Sequence, residues 1–161
     1  MELYLFRHGI AEDAKPGRPD ANRALTDEGK KKTAEVVRAA RRAGVEPSLI
    51  VSSPYVRAVE TARIAVQGFE FKGDIVRTDT LVPHGTPEKV WAELREYRHE
   101  DAVLLAGHEP LLSHLAAYLL ASPALRIEMK KAAMVRIDVE TFGAVPHGTL
   151  RWMITPKLCG H

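Results

Sequence analysis

Three short stretches carry residue types that could do chemistry on an anion. Arg7-His8-Gly9 ends the apolar run Leu3-Tyr4-Leu5-Phe6. Ser52-Ser53-Pro54 ends Leu49-Ile50-Val51, with Arg57 shortly after it. Gly107-His108-Glu109-Pro110 follows a third apolar run, residues 101–106. A guanidinium is always charged and its planar fork matches phosphate or carboxylate, while an imidazole can act as nucleophile, base or ligand near neutral pH. Arg7, Arg57, His8 and His108 gathered together, with backbone N–H groups from two helix starts, would bind a tetrahedral dianion beside a reactive nitrogen. Gly9 is expected to let the chain turn sharply without a Cβ in the way. Plainer readings exist for each residue taken alone: Arg57 could pair with Glu60 or Glu28 on the surface, and His108 could be a hydrogen-bonded turn histidine.

The elements that would position these residues follow from pattern. Buried strands of parallel sheets read as near-continuous apolar runs, and α/β sites lie at strand carboxyl ends. The three runs fit that description. A helix is expected from Thr26, a capping residue with Asp27 and Glu28 in the first turn; Thr33, Val36, Val37 and Ala40 share one face and Gly44 ends it. A second starts with Ser53 as N-cap and Pro54 at the first helical position and runs to about residue 67, broken by residues 68–73. Its Arg57 would point back toward the helix start, hence toward the same sheet edge. Residues 74–77 suggest a short strand, 80–87 a loop, 86–97 a third helix and 111–120 an apolar fourth. Residues 132–139 and 149–155 read as two strands of a hairpin closing one edge. The alternation predicts an α/β three-layer sandwich, with a mostly parallel central sheet and helices on both faces, in one domain over residues 1–161.

Composition narrows the function classes. A chain of 161 residues, 45% hydrophobic and 27% charged, can bury a core without disulfides or metal. Its net charge of +2 is too small to imply nucleic acid. The one cysteine, Cys159, excludes an internal disulfide and suits a reducing, cytoplasmic setting. No leader is expected at the N-terminus, and the longest apolar stretch, 115–121, is far short of the roughly 20 residues a membrane helix needs. Lys30-Lys31-Lys32 reads as a solvated helix face. No histidine pair has zinc-site spacing, and there is neither a Gly-rich nucleotide loop nor a G-x-S-x-G elbow, so no metal or cofactor is expected. His84, between Pro83 and Gly85, is a candidate for lining the site. His99, His147 and His161 are taken as loop or surface residues, and His114 as a core or edge histidine.

Arg7-His8-Gly9, the segment from Ser52-Ser53-Pro54 through Arg57 to Thr61-Ala62, and Gly107-His108-Glu109-Pro110 together resemble the histidine phosphatase superfamily, the phosphoglycerate mutase-like proteins. The short chain, Arg23-Ala24-Leu25-Thr26, Leu81-Val82-Pro83-His84-Gly85 and Gly148-Thr149-Leu150-Arg151-Trp152 are similar to its SixA-type branch, the phosphohistidine phosphatases. The resemblance implies a phosphoglycerate mutase-like fold and a metal-independent phosphatase. His8 would be the nucleophile, forming a phosphohistidine intermediate that water hydrolyses, with Arg7, Arg57 and His108 binding the phosphoryl oxygens. Gly9, Arg23, Glu109 and His84 are expected around the substrate. Members acting on phosphate esters use an acidic residue to protonate the leaving alkoxide, but residues 81–87 contain none before Glu88. A phosphohistidine imidazole leaves more readily than an alkoxide, so a phosphohistidine-bearing signalling or phosphotransfer protein is the expected partner. The alternatives are a small-molecule phosphomonoester phosphatase, with Glu88, Glu12 or Glu109 as its acid, and a phosphoprotein-binding module without turnover.

Overall fold

In the computed structural model, which describes residues 1–159, six strands form one sheet in the order β3-β2-β4-β1-β5-β6. In chain order the elements are β1 (Glu2–Arg7), α1 (Asp27–Arg42), β2 (Leu49–Ser52), α2 (Val56–Phe69), β3 (Val76–Arg77), α3 (Pro87–Glu96), β4 (Ala102–Gly107), α4 (Leu111–Leu119), β5 (Met134–Asp138) and β6 (Thr149–Ile154). The first four strands run parallel; β5 pairs antiparallel with β1 and β6 with β5, so the expected hairpin does close one edge. This is the α/β sandwich the alternation predicts. No helix among the described residues is long and apolar enough to cross a membrane.

Strand alternation divides the core. Leu3, Leu5, Val51, Val103 and Leu105 face α3 and α4, packing with Trp91, Leu94, Leu111, Leu112 and Leu115. Tyr4, Phe6, Ile50, Leu104 and Ala106 face α1 and α2, packing with Val36, Val37, Ala40, Ala62 and Ala65. Both faces of β1 and β4 are covered, which is why their sequences are apolar without a break. Each large apolar side chain so buried contributes roughly 1.5–3 kcal/mol. A one-residue slip of β1 would also move its packed set to the opposite face, so its register, and with it the position of Arg7 and His8, is held firmly.

Helix α1 starts as expected: the Thr26 hydroxyl accepts from the Gly29 N–H at 2.9 Å, and Gly44 takes a positive φ of 86° just past the end. Two expectations for α2 fail. The helix begins at Val56, not Ser53: the Ser53 hydroxyl does accept from Tyr55 N–H at 3.2 Å, but Tyr55 is itself extended, with ψ 140°. It also continues through Gly68 to Phe69 and ends on Glu70 in the left-handed region. Gly68 is there for space, since a Cβ would lie 2.3 Å from Val37 Cγ1 of α1.

The tightest approach near the strand ends involves Gly29. A Cβ there would stand 2.1 Å from the Ile10 carbonyl oxygen. At an exposed helical site Gly→Ala gains about 1 kcal/mol. Here overpacking against backbone should win, and Gly29→Ala should lose about 1–3 kcal/mol in urea denaturation. A raised midpoint would show that α1 does not press on residues 9–10.

Candidate active site

The carboxyl ends of β1, β2 and β4 lie side by side, and each hands over to one of the three polar turns. Arg7 is level with Gly107, and Ser52 with Ala106, in the strand register. His8, Ser53 and His108 therefore follow one step past the ladder. Their backbones stay tied to it: His8 N–H donates to the Gly107 carbonyl at 3.0 Å and Ser53 N–H to Ala106 at 2.9 Å.

His8 is 7% exposed and its two ring nitrogens have different partners. Nδ1 lies 2.7 Å from the Gly9 carbonyl, and Nε2 lies 3.3 Å from Arg57 Nε. A carbonyl can only accept and a guanidinium can only donate. Nδ1 therefore carries the proton and Nε2 the lone pair. Burial, the largest influence, holds the His8 pKa down at about 4; the Gly9 bond pulls it back up, and the charges of Arg57, Arg7 and Arg23 depress it further. Gly9 matters differently from what its type suggests. Its φ is not positive; a Cβ there would meet Thr33 Oγ1 at 2.3 Å, so the requirement is space.

Arg57, 3% exposed, lies in the first turn of α2 and pairs with neither Glu60 nor Glu28. Its Nη atoms donate to the Asp20 carbonyl at 2.8 Å and the Asp20 carboxylate at 3.0 Å. The other Asp20 oxygen accepts from Arg23 Nε at 2.8 Å, and Arg23 also reaches the Glu12 carbonyl at 3.0 Å. Partial burial raises the Asp20 pKa, but the hydrogen bonds from Arg23 and Arg57 outweigh it and hold the carboxyl below its usual range. Thr61 ties α2 to β1: its hydroxyl donates to the Arg57 carbonyl at 2.8 Å and accepts from Gly9 N–H at 3.2 Å.

His108 is 1% exposed, with its ring centre 5.1 Å from that of His8 and 5.0 Å from Tyr55. Its Nε2 lies 2.8 Å from Ser53 Oγ, and Nδ1 is buried without a partner. Burial, then the nearby His8, Arg57 and Arg7, holds its pKa at about 3. Arg7 departs toward the other face of the sheet. One Nη donates to the Met129 carbonyl at 2.6 Å, Nε is buried without a partner, and burial lowers its pKa against the pull of Glu109. Arg7 and Glu109 line a groove of about 580 Å³ with Arg126, Ile127, Met129 and Lys130. Glu109 also accepts from Ser113 N–H at 2.8 Å, which fastens the start of α4.

His8, Arg57 and His108 thus converge; Arg7, Gly9 and Glu109 adjoin them, and Arg23 reaches the cluster through Asp20. His84 is exposed, and among the described residues no hydrogen bond ties it to the cluster. His114 is likewise exposed on α4, as are His99 and His147, while His161 lies outside the described residues. Sequence reasoning missed Asp20, Ser53 and the Met129 carbonyl. Asp20 sits in a Pro- and Gly-broken loop with no periodicity to flag it, and Ser53 was absorbed by its resemblance to an N-cap. Among the described residues, no group of three or more His, Cys, Asp or Glu could hold a metal ion.

A sequence profile described as histidine phosphatase superfamily (branch 1) matches residues 3–81, a span that contains every residue of the cluster except those of the His108 turn. An uncharacterized protein of Picosynechococcus sp. is 32% identical over 138 residues, covering 84% of this chain and 83% of that one. Among solved structures, the protein histidine phosphatase SixA complexed with tungstate matches with a TM-score of 0.87 at 23% identity over 98% of each chain. The alpha-ribazole phosphatase from Shigella flexneri matches with a TM-score of 0.75 at 20% identity over 97% of each chain. At those identities the two structures speak to the fold, which is the phosphoglycerate mutase-like sandwich expected.

The buried imidazoles make stability depend on pH. Unfolded, His8 and His108 take up protons near pH 6.5; folded, they resist until about 4 and about 3. The unfolded state therefore binds more protons in between, and stability present above pH 6.5 is lost as pH falls toward 4. Denaturant midpoints measured from pH 7 to 4 should fall steeply for the wild type and less for His8→Ala/His108→Ala. Parallel slopes would contradict the buried neutral imidazoles.

Proposed function

We propose that this chain, which belongs to the histidine phosphatase superfamily and is a phosphatase, removes phosphate from histidine side chains of other proteins. The observation that carries the reading is the lone pair of His8 Nε2. It is buried, kept free of a proton at neutral pH and fixed by the Gly9 carbonyl on one side and Arg57 on the other.

In the proposed cycle Nε2 attacks phosphorus in line, forming an N–P bond as the substrate's N–P bond breaks. The substrate imidazole, protonated on its second ring nitrogen, leaves as a neutral ring. Phosphorylated His8 becomes a cation whose Nδ1–H still donates to Gly9. Water then attacks phosphorus, the Nε2–P bond breaks, and inorganic phosphate departs with His8 returned to its starting tautomer. Arg57, Arg7 and His108 supply the charge and donors for the phosphoryl oxygens. Such a loose transition state asks mainly for positioning and electrostatic stabilisation. Each Arg57 Nη has a second N–H, so the guanidinium can engage a phosphoryl oxygen with or without Asp20. The tungstate held by the SixA structure is a tetrahedral dianion of the same class.

Protein phosphohistidine, as against a phosphate ester, is favoured by the state of the nearby acids. The carboxyl beside Arg57 is Asp20, which is held ionised and so is poorly suited to protonate an alkoxide. Glu88 is exposed in the first turn of α3, and Glu109 is engaged at the start of α4. The groove beside Arg7 gives room for the polypeptide that bears the phosphohistidine. A signalling or phosphotransfer protein is the proposed partner.

An Asp20 near the cluster does give the small-molecule reading one specific footing, and substitution separates the two. Wild-type protein should release phosphate from a phosphohistidine-bearing protein in the presence of a chelator. His8→Ala should lower that rate by roughly a thousandfold or more, as loss of a covalent nucleophile does; near-normal turnover would sink the mechanism. Asp20→Asn should leave phosphohistidine turnover within a few-fold. A large loss confined to phosphate esters, with esters the better wild-type substrates, would favour the small-molecule reading.

A further inference from the structure

We infer that Ser53 is a positioning residue that holds His108 with its proton on Nδ1, so that His108 presents an N–H donor to the phosphoryl group. The inference deepens the proposed function and rests on its reading of the cluster as a phosphoryl site.

The argument is a count of protons and acceptors in a closed space. Ser53 is fully buried, so its hydroxyl has one proton to give and two lone pairs to fill without help from solvent. One lone pair accepts from Tyr55 N–H at 3.2 Å. The remaining partner among the described residues is His108 Nε2 at 2.8 Å. At neutral pH the buried His108 ring is uncharged and has one proton to place. If that proton were on Nε2, it would donate to Ser53, and the Ser53 proton would have no acceptor among the described residues. The lone pair on Nδ1 would also be buried and unmet, and it would repel an incoming phosphoryl oxygen. With the proton on Nδ1, Ser53 donates to Nε2 and every group of the pair is satisfied except the Nδ1–H. That atom is the one buried without a partner. An orphaned donor on a ring 5.1 Å from His8 is what an arriving anion would complete.

The arrangement explains how a histidine that stays uncharged can serve an anion. It acts through a directed N–H, and its usefulness depends on which nitrogen holds the proton. Removing the Ser53 hydroxyl leaves both tautomers available.

Long-range ¹H–¹⁵N spectra of the resting wild-type protein distinguish the two directly, with the His108 signals identified by their loss in His108→Asn. Nδ1 protonated and Nε2 bare is the expected result; Nε2 protonated overturns the inference. Ser53→Ala should populate both tautomers, weaken vanadate binding and lower kcat by roughly tenfold to a hundredfold, by analogy with the loss of the outer hydrogen-bond partner of a metal-ligating imidazole. Ser53→Thr, which keeps the hydroxyl, should restore much of both. A Ser53→Ala protein with unchanged vanadate affinity and kcat would overturn it. Should that variant fail to fold, the wild-type spectrum still decides. Failure of the phosphatase reading would look different: wild-type protein that neither binds vanadate nor releases phosphate, whatever the His108 tautomer.

Discussion

In the proposed reaction a histidine attacks phosphorus through a nitrogen that holds a lone pair, and this site is arranged around keeping that pair on Nε2 of His8. The Gly9 carbonyl demands a proton on Nδ1, and Arg57 Nε demands a lone pair on Nε2. Either contact alone would choose the tautomer. Together they also fix the plane of the ring, which a single hydrogen bond would not. Burial adds the third condition by making a second proton costly. The consequences spread outward: Gly9 must lack a Cβ because α1 closes over it, and Thr61 must bond both Gly9 and the Arg57 carbonyl so that carbonyl and guanidinium stay in register.

The same burial creates the site's second demand. A guanidinium with 3% exposure needs compensation, since an uncompensated buried charge is strongly destabilising. Asp20 provides it with both a carboxylate and a carbonyl, and Arg23 holds Asp20 in place from the far side. The loop that carries Asp20 is mostly exposed and has little apolar packing of its own, so charge pairing is what positions it. Arg7 meets the demand differently, by donating to the Met129 carbonyl on the opposite side of the sheet. The two cations are thereby tied down from different directions, Arg57 by a carboxylate and Arg7 by a carbonyl.

What could be read in the sequence follows from which forces are local. β2 falls on residues 49–52, where the apolar run lies, and α3 opens at Pro87 as its Thr-Pro-Glu start suggests. Those features depend on burial and on short-range backbone chemistry. His8, Arg7, Arg57 and His108 were legible because each closes or follows a strand. Two other features were not. Ser53-Pro54 has the form of a helix start, yet Tyr55 is extended, the helix begins later, and the Ser53 hydroxyl also meets a histidine 55 residues away. Gly68 has the form of a helix breaker, yet it is the contact point that lets α2 approach Val37. In both cases a contact distant in sequence goes with the departure from the local signal.

The alternation of β1 also bears on how the site would meet the proposed substrate. Odd residues of the strand face α3 and α4, and even residues face α1 and α2, so consecutive Arg7 and His8 leave the sheet on opposite sides. His8 joins Arg57 from α2, whereas Arg7 joins Met129 and the groove beside it. In the proposed reaction a phosphoryl group touching both would straddle the sheet edge. A small ester would gain little from such an open approach and would meet an ionised Asp20 in place of a proton donor. A phosphoimidazole carried on a protein surface brings a good leaving group and a large body that can rest along the groove. The geometry of two adjacent residues on one strand thus supports the proposed phosphohistidine substrate, the one that needs the least chemical help.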